Sequence, residues 1–348
     1  HEVWGRATAY DPLNAAAADS SEFSRPVSGS GPAGLGTTGG EGAPPAGSGG
    51  LDPGSAAGPS LLGVDLSGLE PPLGDEHRRQ LRSELALRSW TDLLAARRMV
   101  AGLSATRFQR DTYPAWLHPR IVVLHEGVDL QECRPDPIAS LQLDQGRKIS
   151  VGDPVISFAA RCLEPMRGFP LLMRALPAVE RALPDVHVVL AGLPEGTAYG
   201  PGPPAGSSWK EELLRELDGR LDLDRIHFCG LLPHNQLVRL FQVTTVHVYL
   251  TDPFVLSWSL LEAMACGALV IGSRTPPVEE VIRHRQNGLL VNMEAPEVLS
   301  RQLIEVLAEP GAYGTLRHAA RRSVVEEYER SACMGRQIDW LQQLGQGP

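Results

Sequence analysis

One segment of the chain concentrates residues able to do chemistry: Thr251-Asp-Pro-Phe-Val-Leu-Ser-Trp-Ser-Leu-Leu-Glu262-Ala-Met-Ala-Cys-Gly267. The pattern predicts a strand ending near Thr251, a turn carrying Pro253 and a helix starting at about Ser257. Amides at a helix start lack intrahelical partners and lie at the positive end of the helix dipole, so they suit an anion. Within the helix, Glu262 stands among Leu260, Leu261, Ala263 and Met264. A carboxylate in a buried helix is costly unless it is hydrogen-bonded. Two ligand hydroxyls would satisfy it. So would a neighbouring backbone group or an Arg, and the pattern leaves both readings open.

The elements that must position this segment are legible around it. Beyond Asp153, apolar strands are expected over 155–160, 186–191, 226–229, 246–250 and 269–272, with a last short one ending at Val291. Helices are expected over 170–183, 209–221, 235–242, 257–266, 277–284, 295–307, 313–328 and 330–344. Strands apolar at nearly every position, each followed by a helix, imply a parallel sheet covered on both faces. The expected fold class is therefore α/β, a doubly wound, Rossmann-like domain that binds ligands at the carboxyl ends of its strands. The Pro/Gly-rich stretch 193–208 reads as a long surface loop. Upstream, a helical pattern covers 81–94, a strand-like piece 99–103, a helical turn 107–112 and a strand 121–124 that enters His125-Glu-Gly-Val-Asp129. Residues 1–76 open with an apolar scrap, His1-Glu-Val-Trp-Gly5, and then dissolve into Ala, Ser, Gly and Pro. Such composition cannot bury enough apolar area to offset its ordering entropy, and disorder is the expectation.

Charge and cysteine usage narrow the partners. A net charge of −9 argues against a nucleic-acid backbone. The five cysteines form no C-x-x-C pair and no zinc spacing, which suits small buried hydrophobes in a reducing compartment. His187, His227 and His247 read as sheet residues and His125 as a packing residue, so no metal is expected. With no signal peptide and no apolar run of spanning length, a cytoplasmic location is expected, and peripheral contact with a membrane is left open. The chain begins with His1 rather than Met, so its true start is open as well. Nothing in the sequence fixes an oligomeric state.

Leu-Leu-Glu262-Ala-Met-Ala-Cys-Gly-Ala-Leu-Val resembles the second half of the Glu-x7-Glu signature of family 4 glycosyltransferases, which have the two-domain GT-B fold. The resemblance implies that Glu262 holds the ribose hydroxyls of a nucleotide. It also implies that the amides of Leu256, Ser257 and Trp258 face the sugar diphosphate. The signature's first Glu, which contacts the transferred sugar in the family, falls at Phe254. Ile156-Ser-Phe-Ala-Ala-Arg161-Cys-Leu-Glu-Pro-Met-Arg167-Gly168 is similar to the family's first strand and loop of the nucleotide domain, usually Gly-Arg and then Lys-Gly. Carried over, Arg161 and Arg167 neutralise the departing diphosphate, and Arg forks suit phosphate oxygens. Read without the family, each is an Arg at a solvated turn. Phe228-Cys-Gly230-Leu231-Leu-Pro233 resembles the loop lining the base pocket. Pro276-Pro-Val-Glu279-Glu280-Val-Ile and Asn287-Gly288-Leu-Leu-Val resemble the family's Pro-Glu-Val-Ile and Asn-Gly-Leu-Leu-Val, although a solvated helix start is the plainer account of Glu279 and Glu280. Leu124-His125-Glu126-Gly127-Val128-Asp129 resembles the interdomain linker.

The resemblance covers about residues 78–344. It implies a domain order of low-complexity segment 1–77, remnant of the N-terminal domain with its linker 78–129, nucleotide-sugar-binding domain 130–330 and crossing helix 331–348. A complete first domain with its acceptor groove is not seen before residue 78; a truncated reading frame, a decayed gene and a protein acting through its nucleotide half alone would each explain this. The implied function is a retaining hexosyltransferase with a nucleotide-diphosphate sugar as donor substrate, no separate cofactor and an unidentified acceptor. The alternative is a module that binds the nucleotide sugar without transferring it.

Overall fold

The computed structural model describes residues 94–346 except 144, 145, 200, 201 and 294. The chain divides into two units, His1–Ala95 and Ala96–Pro348. The expected low-complexity segment 1–77 and the expected helix over 81–94, apart from Leu94, lie outside the described residues.

The second unit opens with two short parallel strands, β1 (Gly102–Ser104) and β2 (Ile121–Val123), joined through helix α1 (Arg107–Asp111) and the 3-10 turn Ala115–Arg120. Thr106 caps α1 by accepting from the Gln109 amide. Then follow an antiparallel hairpin, β3 (Ser140–Gln142) with β4 (Lys148–Ser150), and strand β5 (Val155–Cys162). The remaining elements alternate: α2 (Phe169–Ala182), β6 (His187–Leu193), α3 (Trp209–Glu216), β7 (Ile226–Gly230), α4 (His234–Val243), β8 (Val246–Tyr249), α5 (Trp258–Ala265), β9 (Leu269–Ser273), α6 (Pro276–Glu279) and β10 (Leu289–Val291). Helices α7 (Pro296–Ala308), α8 (Gly314–Glu327) and α9 (Arg330–Gly345) follow.

Six strands form one parallel sheet in the order β10-β9-β8-β5-β6-β7. Alternate side chains serve opposite faces, as strand geometry requires. Ile156, Phe158, Val188, Leu190, Val248 and Ile271 meet α2, α3 and α7 on one face. Tyr249, Val270 and Leu290 meet α4, α5 and α8 on the other. Both faces are covered, which confirms the doubly wound α/β expectation. Helix α2 buries Phe169, Leu172, Met173, Leu176 and Val179, a single stripe at three- and four-residue steps. Each such side chain stabilises the fold by roughly 1.5–3 kcal/mol relative to exposure.

Three differences from the sequence reading have local causes. The hairpin β3–β4 was not expected, because three-residue strands leave almost no periodic signal; Leu141 and Ile149 pack there on Leu240 and Val243 of α4. Helix α3 starts as expected, behind a capping box in which the Ser208 hydroxyl and the Glu211 carboxylate each take the other's amide, but it stops at Glu216 rather than Leu221. Helix α6 is four residues long, not eight, because the Asn287 side chain takes the Arg283 amide at 2.7 Å and bends the chain away.

His247 lies fully buried in β8, its Nδ1 2.9 Å from the Ser157 hydroxyl and its ring edge-on to Phe241. Burial holds its pKa down at about 3. The unfolded chain takes up a proton below about 6.5 that the folded ring refuses. Stability is therefore complete above pH 6.5 and falls as the pH drops toward 3, by up to about 1.4 kcal/mol per pH unit. Urea midpoints measured through this window are expected to fall less steeply for His247→Leu than for the native chain; equal slopes would show that another group governs acid unfolding.

Candidate functional site

Strands β5 and β8 are neighbours, yet the chain leaves them in opposite directions across the sheet, toward β6 and β7 from one and toward β9 and β10 from the other. Divergence of this kind opens a crevice at the carboxyl ends of the two strands. At those ends β5 runs through Arg161 into the 3-10 turn Pro165–Arg167, while β8 runs into Thr251, Phe254 and the start of α5.

The turn after β5 is pressed against the end of β8. Gly168 has φ +69°, and a Cβ there would lie 2.3 Å from the Leu250 Cβ. Only glycine fits that backbone and that gap. The Asp252 amide donates to the Met166 carbonyl at 2.9 Å and ties the two loops together. Arg167 is thereby placed so that Nη1 donates to the Thr251 hydroxyl at 3.0 Å and to the Val255 carbonyl at 3.2 Å. Its guanidinium lies 5.2 Å from the Tyr199 ring centroid and 5.7 Å from that of Phe254, and the two rings are 4.9 Å apart. Tyr199 comes from the loop read only as surface; buried Glu164 holds it there, accepting from the Ala198 and Tyr199 amides at 2.9 and 3.0 Å. Arg161 is exposed at the end of β5. The structure thus brings Arg167 onto the turn that leads into α5.

At the start of α5, Leu256 is buried and Ser257 is the N-cap. The Ser257 amide donates to the Tyr249 hydroxyl at 2.7 Å, so one of the three amides expected to face an anion has a protein partner. The Trp258 indole N–H donates to Glu126 of the linker in a short hydrogen bond. Gly230 and Leu231 lie at the end of β7, the sheet edge, two strands from β5, with Leu231 exposed.

One turn into α5, Glu262 is buried, as its neighbours predict. Its partner is neither of the protein groups the sequence suggested. His234, the first residue of α4, places Nε2 3.0 Å from Glu262 Oε1 and Nδ1 3.3 Å from Glu132 Oε2. Cys133 joins the group, its sulfur within 4.8 Å of the ligand atoms of His234 and Glu262 and with Cys266 beside it. The bonds to the Cys133 sulfur and the Glu262 carboxylate push the His234 pKa up to about 10 against the opposing effect of burial. The bond to Cys266, together with burial, pushes the Cys133 thiol up. His234 directly follows the Phe228–Pro233 stretch, but only the fold reveals its proximity to Glu262, 28 residues on. Sequence reasoning also missed Cys133, Glu164 and Tyr199.

The remaining acids part company. Glu279 is paired with Arg274 at the surface, in keeping with a solvated helix start. Glu280 is not so placed: it accepts from the Arg107 and Phe108 amides at 2.8 and 2.6 Å, at the positive end of α1. Helix α1 is thus held against the segment that follows α6. His125 is buried, accepts from the Gly127 amide and lies edge-on to Tyr328, a packing role.

Comparison with known proteins agrees with this architecture. The family model for glycosyl transferases group 1 matches residues 142–323, and that for the glycosyl transferase family 4 group matches residues 70–133. A D-inositol 3-phosphate glycosyltransferase of Segniliparus rotundus is 24% identical over 213 residues, covering 61% of this chain and 45% of that protein. An alpha-maltose-1-phosphate synthase of Mycolicibacterium smegmatis is 26% identical over 271 residues, covering 74% and 66%. The chain thus spans less than two thirds of either relative. Among solved structures, Anabaena Alr3699/HepE in complex with UDP-glucose superposes with a TM-score of 0.59 at 17% identity, over 77% of this chain and 69% of that one. Sucrose-phosphate synthase from Thermosynechococcus elongatus gives 0.53 at 21%, over 70% and 57%. No described helix is long and apolar enough to cross a membrane.

The contact between Gly168 and Leu250 generates a prediction. Gly168→Ala would combine a left-handed alanine with a methyl driven into the β8 end, a cost of roughly 2–4 kcal/mol. A urea unfolding curve should show that loss, and a loss below about 1 kcal/mol would mean that the turn can shift and that Arg167 is not fixed by it.

Proposed function

Because the chain belongs to the glycosyl transferases group 1 family, we propose that it transfers a hexosyl group from a nucleoside-diphosphate sugar to an acceptor hydroxyl, with retention at the anomeric carbon. The carrying observation is the placement of Arg167 at the turn leading into α5, one helical turn before the buried carboxylate of Glu262. Anabaena HepE, solved with UDP-glucose, has this fold and supports a nucleotide sugar as donor.

In this reading the ribose hydroxyls donate to Glu262. His234 holds one carboxylate oxygen only, and a carboxylate has lone pairs for further donors. The diphosphate meets Arg167, Arg161 and the amides at the start of α5, with the Ser257 amide exchanging Tyr249 for a phosphate oxygen. As the bond from the anomeric carbon to the diphosphate breaks, charge grows on the leaving oxygens. Cations already in place stabilise it without reorganisation. The acceptor oxygen bonds to the same face of the anomeric carbon, and its proton passes to the departing phosphate. The arginines supply the charge, and the step calls on no separate cofactor. Phe254 favours a second reading, a module that binds the nucleotide sugar without transferring it, because no carboxylate stands there to hold the sugar.

Calorimetry with UDP and GDP sugars, run beside an assay for released nucleoside diphosphate, tests both. The transfer reading expects Glu262→Gln to weaken nucleotide binding at least about tenfold, near 1.4 kcal/mol. It expects Arg167→Ala to lower turnover by about 10²–10³ with a smaller effect on binding. Binding without release would select the module. Absence of binding to either nucleotide would sink both readings.

A further inference from the structure

The group around Glu262 has a composition that nucleotide binding does not require. A ribose needs acceptors; it does not need a thiol and an imidazole converging on the same carboxylate. Cys133, His234 and Glu262 each offer a ligand atom, and these atoms lie within 4.8 Å of one another. We propose that Cys133, His234 and Glu262 form a site for a thiophilic divalent cation such as Zn2+, which competes with the nucleotide for Glu262.

Three features of the chain support this. The first is ligand chemistry: sulfur, imidazole nitrogen and carboxylate oxygen together suit zinc or cobalt and not magnesium or calcium, which take oxygen ligands. Ligand atoms around a tetrahedral zinc stand about 3.5 Å apart, given bonds of about 2.0–2.3 Å.

The second is the orientation of the imidazole. His234 turns Nε2 to Glu262 and leaves Nδ1 for Glu132 at 3.3 Å. A metal-bound histidine commonly has its other ring nitrogen held by a carboxylate in this way, which fixes the ring and raises its donor strength.

The third is how Cys133 is delivered. Asp129 accepts the Gln131 amide at 2.8 Å and the Glu132 amide at 3.3 Å through its side chain, and the Cys133 amide at 2.8 Å through its carbonyl. This turn holds Glu132 and Cys133 together beside His234. Cys266, also buried, is a further soft neighbour of Cys133. The side chain of His234 is 20% exposed, so an ion has a way in.

The claim that the ion and the nucleotide exclude each other rests on the ribose role given to Glu262 above; the site itself does not. The test uses the full chain, stripped with a chelator and titrated with Co2+ and then Zn2+. One ion per chain is expected, with a thiolate-to-cobalt charge-transfer band and a zinc Kd below about 1 μM. Cys133→Ser should abolish the band and weaken zinc about 100-fold, near 2.7 kcal/mol. His234→Gln should weaken it comparably, and each variant's melting temperature, compared with the stripped native chain, shows that it has folded. UDP should lower the apparent zinc affinity beyond its own chelation. Absence of the band, or unchanged affinity in Cys133→Ser, overturns the metal site while leaving UDP binding to the stripped chain intact. A band and tight zinc that UDP does not affect would keep the metal site, overturn the competition and remove the ribose role from Glu262.

Discussion

Glu262 is an acid set among leucines, and a carboxylate moved there loses its water unless a polar group takes the water's place. Helix α5 cannot supply that group, because its own amides and carbonyls serve the helix and its remaining side chains pack against β8, β9 and α8. The partner has to arrive from elsewhere, and His234 arrives from α4, steadied in turn by Glu132 and Cys133 of the segment that leads into the sheet domain. One buried charge therefore ties together a helix in each of two successive crossovers and the chain that precedes the sheet. A group so arranged presents an acceptor in a fixed position, which is what recognition of a polar ligand demands.

Before the start of the same helix, Arg167 solves the opposite problem. A guanidinium near a helix N-terminus meets like charge. It is held there by the Thr251 hydroxyl, the Val255 carbonyl and the faces of Tyr199 and Phe254. Phe254, where the family places an acid, is thus a ring against a cation. An aromatic in place of a carboxylate at that point removes a hydrogen-bond acceptor and adds packing for the arginine. The Gly168 turn and the Glu164-held loop bring these groups within reach.

The segment 124–129 is bound at both ends of its course. Val128 exchanges backbone hydrogen bonds with Tyr328 and Arg330, and the Gln337 side chain donates to the Leu124 carbonyl, so α9 lies back along the chain that enters the domain. Glu280 caps α1. Helix α9 still leaves Met334, Ile338, Leu341 and Leu344 exposed, at three- and four-residue steps. With Glu126 bonded to Trp258, the linker also touches the first residue of α5, and a change in its path would be felt at the candidate site.

The sequence by itself determined the alternation of strands and helices, the parallel sheet covered on two faces and the burial of Glu262, because apolar periodicity and the cost of a buried charge are local properties that neighbours in the chain report. It also pointed to Arg167 and to the turn before α5. The hairpin of three-residue strands left too little pattern to be read, and the end of α6 turned on an Asn side chain competing for one amide. Only the tertiary structure decided which protein group satisfies Glu262, that Cys133 lies against His234, that Tyr199 reaches Arg167 and that Glu280 caps α1. Each of those contacts joins residues 28 or more positions apart, and no periodicity in a chain records which of its distant segments the sheet will bring side by side.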